Sequence, residues 1–305
     1  MKIDDTNIEM RLNKLFSEYL GAVDRENWFG DRNYSDAVVD WYDDHIRRRP
    51  TRWDNFVQPI IALKILEKFI AGSQGKSLKG NLIDLGCGSG SSLQAIEARL
   101  RQSAGAPGLS LYGIDFSREG IRVAKQRTEN VGYYLGDFLN YRFSEQYDFV
   151  LSLGVFEHIG QLIEGLRSVS RMLSADGLAF ISVPPDEVDS ISDEGFGRHV
   201  HGKQLHWRLK KTSWEDAINQ SGLVIVKKLP TVEPISDWAW VLSLPNSIYA
   251  NQSSYDRVLL DKYLKKLQLI HKLKRMAFSV GSIIAVRRLL GLVPDKIKLP
   301  FKTGL

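Results

Sequence analysis

A glycine-rich turn lies between a short apolar run at residues 81–85 and an amphipathic segment at 91–102. Residues 84–90 read DLGCGSG. Glycines at a strand-to-helix turn let the backbone bend tightly and lie close against a ligand. The dinucleotide fingerprint G-x-G-x-x-G needs a glycine where this chain has Ser91. Asp84 stands two residues before the first glycine, and a carboxylate there favours a cationic ligand over a pyrophosphate.

Two further acids follow the next apolar runs. Asp115 ends the run at 110–114 and precedes Phe116, and Asp137 precedes Phe138 after the run at 132–135. One carboxylate can accept hydrogen bonds from both vicinal hydroxyls of a ribose, which suits Asp115. Asp137 and Phe138 suit an adenine amine and ring face. Each acid taken alone is better explained as a helix cap or a turn residue, and the functional interpretation depends on their occurring together, in order, at strand ends.

These residues need a sheet to bring them together, and the apolar pattern predicts one. Short apolar runs at 81–85, 110–114, 132–135, 148–153 and 177–183 alternate with mixed segments, of which 91–102 and 118–128 are amphipathic helices. Strands that alternate with helices indicate βαβ units and a parallel, doubly wound sheet. Further strands are predicted at 223–229 and 282–288, and N-terminal helices at 8–20 and 55–70.

With these motifs, the chain resembles the class I S-adenosylmethionine-dependent methyltransferases, in particular the small-molecule branch that contains ubiquinone-pathway and sugar O-methyltransferases. The resemblance is carried by IDLGCGSG (83–90), GIDFS (113–117), GDF (136–138), YDFVLSLGVFEHI (147–159) and RMLSADGLAFISVP (171–184). It implies S-adenosylmethionine as cofactor and S-adenosylhomocysteine as product. It also implies an α/β, Rossmann-like, doubly wound seven-stranded sheet whose last strand is antiparallel, with 282–288 as the expected last strand.

The resemblance also implies which residues hold the cofactor. The methionine part would lie against Asp84, Gly86, Cys87, Gly88 and Gly90, the ribose against Asp115 and Phe116, the adenine against Asp137 and Phe138, and the methyl group near Ser152, Leu153 and Gly154. Around this site we expect an N-terminal helical cap at 1–75, the cofactor-binding core at 76–230, a helical insertion of the cap at 231–280, and the last strand and tail at 281–305. Tryptophans and tyrosines in the covering segments suit either acceptor stacking or core packing.

A histidine is the expected catalytic group. Methyl transfer to a hydroxyl needs a base, and a neutral imidazole suits that role near pH 7. His158 follows the fourth strand, and a histidine at the matching position is the proposed base in the sugar methyltransferases that the chain resembles. An equally good interpretation is structural, with His158 capping a helix or bonding the cofactor. His206 and then His201 are the next candidates.

We expect no required metal. The ubiquinone-pathway branch binds a divalent ion with acids just before the Glu-His pair, and this chain has Gly154 at that position. His199 and His201 form a His-x-His pair that could bind a metal, but such clusters more often belong to a surface or substrate loop.

Charge is distributed unevenly along the 305 residues. Residues 200–305 carry 18 Lys and Arg against 7 Asp and Glu, whereas the whole chain has a net charge of only +5. The segment 256–276 combines an apolar stripe with a basic face. It would either pack on its own domain or rest on an anionic membrane at the inner face. The polar N-terminus and the single cysteine indicate the cytoplasm.

The leading function is therefore methyl transfer to a hydroxyl of a small molecule such as a sugar, glycoconjugate or polyketide-like natural product. A second interpretation is a nucleic-acid or protein methyltransferase, but we do not expect a nucleic-acid partner because the chain lacks an Asn/Asp-Pro-Pro-Tyr motif. A third is a non-catalytic cofactor-binding subunit. The sequence leaves the oligomeric state open.

Overall fold

The computed structural model describes residues 7–22, 28–29, 54–74, 78–102, 108–186, 188–194, 203–229 and 237–250. Within them, seven strands form one sheet, as predicted. These strands are β2 Gly80–Leu85, β3 Leu109–Asp115, β4 Val131–Leu135, β5 Tyr147–Leu153, β6 Leu173–Val183, β9 Val224–Leu229 and β10 Trp238–Ser243. The doubly wound, Rossmann-like class is confirmed.

The strand order places a crevice in the middle of this sheet. The order is β4-β3-β2-β5-β6-β10-β9, so the chain winds outward from β2 in one direction and from β5 in the other. β2 pairs in parallel with both β3 and β5. In open α/β sheets a ligand binds outside the carboxyl ends of the strands at such a reversal point. The glycine turn after β2 and the segment after β5 therefore face each other across the expected site.

Alternating side chains on the strands build a core on each face of the sheet. One face carries Leu82, Phe149 and Phe180 and is covered by the helices α2 Asp54–Gln74 and α3 Ser91–Gln102. The opposite face carries Ile83, Val150 and Ile181. On that face pack α1 Ile8–Ala22, α5 Leu162–Met172 and α6 Lys211–Gln220. The helices predicted at 8–20 and 55–70 are thus confirmed.

A short helix after β3 shows how local sequence sets an element boundary. Helix α4 spans Arg118–Arg127, and the Ser117 hydroxyl at its N-cap accepts a hydrogen bond from the Gly120 N–H at 2.8 Å. Such a cap satisfies one of the donors that a helix start leaves open. The helix predicted at 118–128 is confirmed, with Thr128 as its C-cap.

A second, three-stranded sheet lies beside the carboxyl end of β5. It contains β1 Trp28–Phe29, β7 Ser190–Glu194 and β8 Lys203–Arg208, in the order β1-β8-β7. β8 pairs in parallel with β1 and antiparallel with β7. Sequence patterns did not predict this sheet, because its strands are short and come from distant segments.

Among the described residues, the antiparallel strand of the main sheet lies where no strand was predicted. It is β10 at Trp238–Ser243, paired with β6 on one side and β9 on the other. This part of the segment 231–280 was wrongly predicted to be helical. The run WAWVLS is buried at all six positions, and a short, fully buried apolar run cannot be assigned from periodicity alone. The segments 256–276 and 282–288 lie outside the described residues, and the four domain boundaries stay predictions.

No described helix combines the length and the apolar character that a bilayer crossing requires.

Candidate functional site

The glycine turn after β2 has the backbone shape that its sequence predicted. Gly86, Gly88 and Gly90 all have positive φ angles, of 66°, 50° and 73°. A side chain at 86 would run into Val155, and one at 90 into Ala124, whereas the space beside Gly88 is open. Only glycine adopts these angles without strain, so the loop can present bare backbone to a ligand.

Arg127 forms hydrogen bonds with the C-terminal end of this loop. The Arg127 Nη1 donates to the Ser89 carbonyl at 3.2 Å, to the Ser89 hydroxyl at 2.7 Å and to the Ser91 hydroxyl at 2.9 Å. Partial burial lowers the pKa of Arg127. The Nη1 amino group has two hydrogens for these three acceptors, so at least one hydrogen is shared, and the contacts fix the end of the loop where helix α3 begins. The sequence analysis missed this residue, since 38 positions separate it from Ser89.

Asp115 lies at the carboxyl end of β3 and reaches across to the glycine loop. Its Oδ2 accepts a hydrogen bond from the Gly88 N–H, and its Oδ1 accepts one from the Ser117 N–H, each at 2.8 Å. The carboxyl group is 9% exposed. Asp115 therefore stands at the predicted strand end and also ties two loops together, which the sequence alone did not show.

A second carboxyl group lies close to Asp115. Asp84 is 3% exposed, and burial, followed by the nearby charge of Asp115, raises its pKa to about 8. Two neighbouring buried carboxylates repel each other, and a bound cation relieves that repulsion. This is the arrangement expected beside the ammonium and sulfonium groups of S-adenosylmethionine.

Asp137 makes two hydrogen bonds within its own turn. It accepts from the Leu139 N–H at 3.0 Å and from the Asn140 side chain at 3.1 Å. Phe138 is 8% exposed and packs edge-on against Phe156, with ring centroids 6.0 Å apart. These contacts fit the turn-residue interpretation and leave the adenine contact a prediction.

The segment after β5 forms the opposite wall of the crevice. Ser152 is fully buried at the end of the strand, and Gly154 turns the chain with a φ of 66°. The Gly154 N–H donates to the Ser182 carbonyl at 3.0 Å. A Cβ at this position would lie 3.3 Å from Oε1 of Glu157. The positive φ and this close approach favour glycine at position 154.

His158 ends the single 3₁₀ turn Phe156–His158 that follows. Its Nδ1 lies 2.9 Å from the Leu205 carbonyl, and its Nε2 lies 3.7 Å from Oε1 of Glu157. A carbonyl can only accept, so Nδ1 carries the proton and Nε2 holds the lone pair. Burial, with a smaller contribution from His206, lowers the pKa of His158 to about 4, although the bond to Leu205 opposes this shift.

Strand β8 brings the second candidate base to the first. The rings of His158 and His206 are 5.3 Å apart at an interplanar angle of 72°. His206 is 8% exposed. The third candidate, His201, lies outside the described residues, as does His199. Among the described residues no group of three His, Cys, Asp or Glu side chains has a metal-binding arrangement, and metal independence stays a prediction.

The tryptophans considered for acceptor stacking are core residues where the structure describes them. They are between 0% and 6% exposed: Trp207, Trp214, Trp238 and Trp240. The packing interpretation is therefore the correct one for these four.

The residues at the crevice fit S-adenosylmethionine. The open space beside Gly88 admits the ligand against bare backbone, and the carboxyl pair of Asp84 and Asp115 supplies negative charge next to it. Both features come from the structure rather than from the motif.

Comparisons with known proteins agree with this geometry. A family model described as "Methyltransferase domain" matches residues 83–179. A ubiquinone biosynthesis O-methyltransferase of Pelagibacter ubique is 26% identical over 201 residues, which is 64% of this chain and 80% of that protein. A malonyl-[acyl-carrier protein] O-methyltransferase of Bacillus anthracis is 29% identical over 126 residues, which is 41% of this chain and 45% of that protein.

Among solved structures, an S-adenosylmethionine-dependent methyltransferase from Clostridium acetobutylicum aligns with 70% of this chain and 99% of its own. The TM-score is 0.46 and the identity 15%, a likeness too low to add to the assignment.

Residues 83–179 match a methyltransferase domain, and the chain is similar to the class I S-adenosylmethionine-dependent small-molecule O-methyltransferases. The family match spans β2 to β6, the part of the sheet that carries the glycine turn and the acids at the strand ends.

Proposed function

We propose that this methyltransferase acts on a hydroxyl group of a small molecule and that His158 is the general base. The observation that carries the proposal is the hydrogen bond between Nδ1 of His158 and the Leu205 carbonyl. It places the proton on Nδ1 and the lone pair on Nε2, in a residue that directly follows the strand forming the second wall of the crevice.

When bound, S-adenosylmethionine supplies an electrophilic methyl group on a sulfonium. The protein has to align the acceptor with that methyl group, exclude water and remove the acceptor's proton. Nε2 of His158 accepts the hydroxyl proton, and the resulting imidazolium is held by the Leu205 carbonyl on one nitrogen and by the Glu157 carboxyl near the other. The low pKa of His158 means that the ring is neutral, with Nε2 unprotonated, at pH 7.

The relatives support an oxygen atom as the methyl acceptor, and the sequence resemblance to sugar O-methyltransferases supports the acceptor class. Both that are described above are named O-methyltransferases, one in ubiquinone biosynthesis and one acting on malonyl-[acyl-carrier protein]. We propose a sugar, glycoconjugate or polyketide-like acceptor, with a quinone precursor as the next candidate.

The first experiment identifies the acceptor. Small-molecule extracts are incubated with the enzyme and cofactor labelled on the methyl group, and labelled products are identified by mass spectrometry. A labelled ether supports the proposal. Label that enters only protein or nucleic acid contradicts it, and so does intact cofactor binding without any labelled product.

The second experiment tests the base. His158→Ala should lower kcat by about 10²–10⁴-fold, the usual contribution of a positioned general base, with little change in cofactor affinity. His206→Ala is the matched control, because its ring neighbours His158 and it is the second candidate base. A larger loss of turnover in His206→Ala would transfer the role to His206, and an equal loss of cofactor binding in His158→Ala would make His158 a cofactor contact.

The pH profile gives an independent check on His158. A pKa of about 4 keeps the ring neutral above that pH. With cofactor saturating, so that the titration of Asp84 does not enter, kcat/KM for the acceptor should hold its value down to about pH 5 and fall as pH drops through 4. An acidic limb near pH 6.5, the value of an unperturbed histidine, would contradict the buried arrangement.

A further inference from the structure

Strand β8 is fastened to the turn after β5 by two hydrogen bonds. The first joins Nδ1 of His158 to the Leu205 carbonyl at 2.9 Å. The second joins the indole N–H of Trp207 to the Ile159 carbonyl at 2.8 Å. The two bonds link alternate residues of the strand to adjacent residues of the turn, so the strand and the turn are held in one register.

The first bond decides which nitrogen of His158 is basic. A backbone carbonyl has no side-chain freedom, so the Leu205 oxygen points at the imidazole only while β8 keeps its position. If the strand moved away, the ring could place its proton on either nitrogen. A proton on Nε2 would leave the nitrogen nearest Glu157 unable to act as a base.

The second bond is well suited to keep β8 in place. Trp207 is 2% exposed and belongs to the core on the α5 and α6 face of the sheet. Its ring packs near Phe16 of helix α1, with centroids 6.3 Å apart. Buried N–H groups need a partner, and this one finds it in the peptide that directly follows His158.

We propose that Trp207 is a positioning residue for His158: its indole N–H holds β8 against the turn, so that the Leu205 carbonyl keeps the imidazole in the tautomer with a basic Nε2. The catalytic consequence rests on the proposed function of His158. The effect on the tautomer does not, because it concerns the folded protein without any substrate.

The test compares two buried tryptophans of the same core. Trp207→Phe removes the indole N–H and keeps an aromatic ring. Trp214→Phe makes the same change at a residue that is 1% exposed and whose Nε1 has no hydrogen-bond partner among the described residues. The difference between the two variants isolates the hydrogen bond from the loss of ring volume.

The main readout is the ¹⁵N chemical shifts of the His158 imidazole, assigned by comparison with His158→Gln. Wild type and Trp214→Phe should show Nδ1 protonated and Nε2 unprotonated. In Trp207→Phe we expect the Nε2-protonated form to rise by roughly 2- to 13-fold relative to the Nδ1-protonated form, the range that the net contribution of one hydrogen bond implies. Equal shifts in both variants would overturn the proposal.

Turnover provides the second readout. The kcat of Trp207→Phe should fall below that of Trp214→Phe by a similar factor, with the same cofactor affinity. If the tautomer changes but kcat does not, Trp207 positions His158, and His158 is not the general base. A fall in kcat without a tautomer change would overturn the positioning.

Should Trp207→Phe unfold under the conditions used for Trp214→Phe, both spectra are repeated at lower temperature in sucrose, which favours the compact state without replacing the lost bond. The same tautomer comparison then decides.

Discussion

The protonation of Asp84 should couple cofactor binding to pH. Burial, with the neighbouring Asp115, raises the pKa of Asp84 from 3.8 to about 8. At pH 7 the Asp84 carboxyl group is therefore mostly protonated in the folded protein without cofactor. The positive charges of S-adenosylmethionine favour the carboxylate, so binding at pH 7 should release about one proton.

The same shift makes the cofactor-free enzyme less stable at high pH. Because the folded-state pKa lies above the unfolded-state value, this contribution to the free energy of unfolding is fully present below about pH 4 and is lost as pH rises through 8. A difference of about four pKa units corresponds to a loss on the order of 5 kcal/mol. Asp84→Asn mimics the neutral carboxyl group and should remove this loss.

Two measurements test the reasoning. Calorimetric titration with cofactor at pH 7, in buffers of different ionisation enthalpy, should show proton release for the wild type and none for Asp84→Asn. Chemical unfolding without cofactor at pH 5 and pH 8 should show a larger pH dependence for the wild type than for the variant. A wild-type binding enthalpy that is the same in all buffers would refute the protonated state of Asp84. Equal pH dependence of unfolding in both proteins would refute the stability argument.

Two further predictions concern the cofactor loop. Asp115→Ala should weaken cofactor binding by several-fold to a hundredfold, about 1–3 kcal/mol, because the bonds to the Gly88 and Ser117 N–H groups are lost together with the proposed ribose contact. Unchanged affinity in calorimetry would contradict this. Arg127→Met should also weaken cofactor binding, by roughly 10-fold, whereas Arg127→Lys should keep part of the affinity since one nitrogen makes all three contacts with the loop. The control is Arg122→Met, which loses only an exposed pair with Glu119. Equal cofactor affinities of Arg127→Met and Arg122→Met would refute the role of Arg127 in holding the loop.

Local patterns in the sequence were enough to predict the central part of the fold. The five strands from 81–85 to 177–183 and the helices between them were predicted because apolar alternation and amphipathic spacing are local properties. The glycine turn was predicted for the same reason, since positive φ angles at Gly86, Gly88 and Gly90 restrict the residue type. Strand β10 was not predicted, because all six residues of Trp238–Ser243 are apolar or buried and the run shows no hydrophobic periodicity that would distinguish a strand from a helix.

The sequence by itself determined the class of protein, the position of the glycine turn and the acids at the ends of β2 and β3, because each depends on residue type within a few positions. Only the tertiary structure determined the pKa values of these groups and the tautomer of His158. The high pKa of Asp84 needs burial beside Asp115, and the low pKa of His158 needs burial beside His206. The tautomer of His158 depends on the backbone carbonyl of Leu205, 47 residues away in the sequence. Every residue has a backbone carbonyl, so no pattern of side chains predicts this contact. Only the fold determines which carbonyl points at the imidazole.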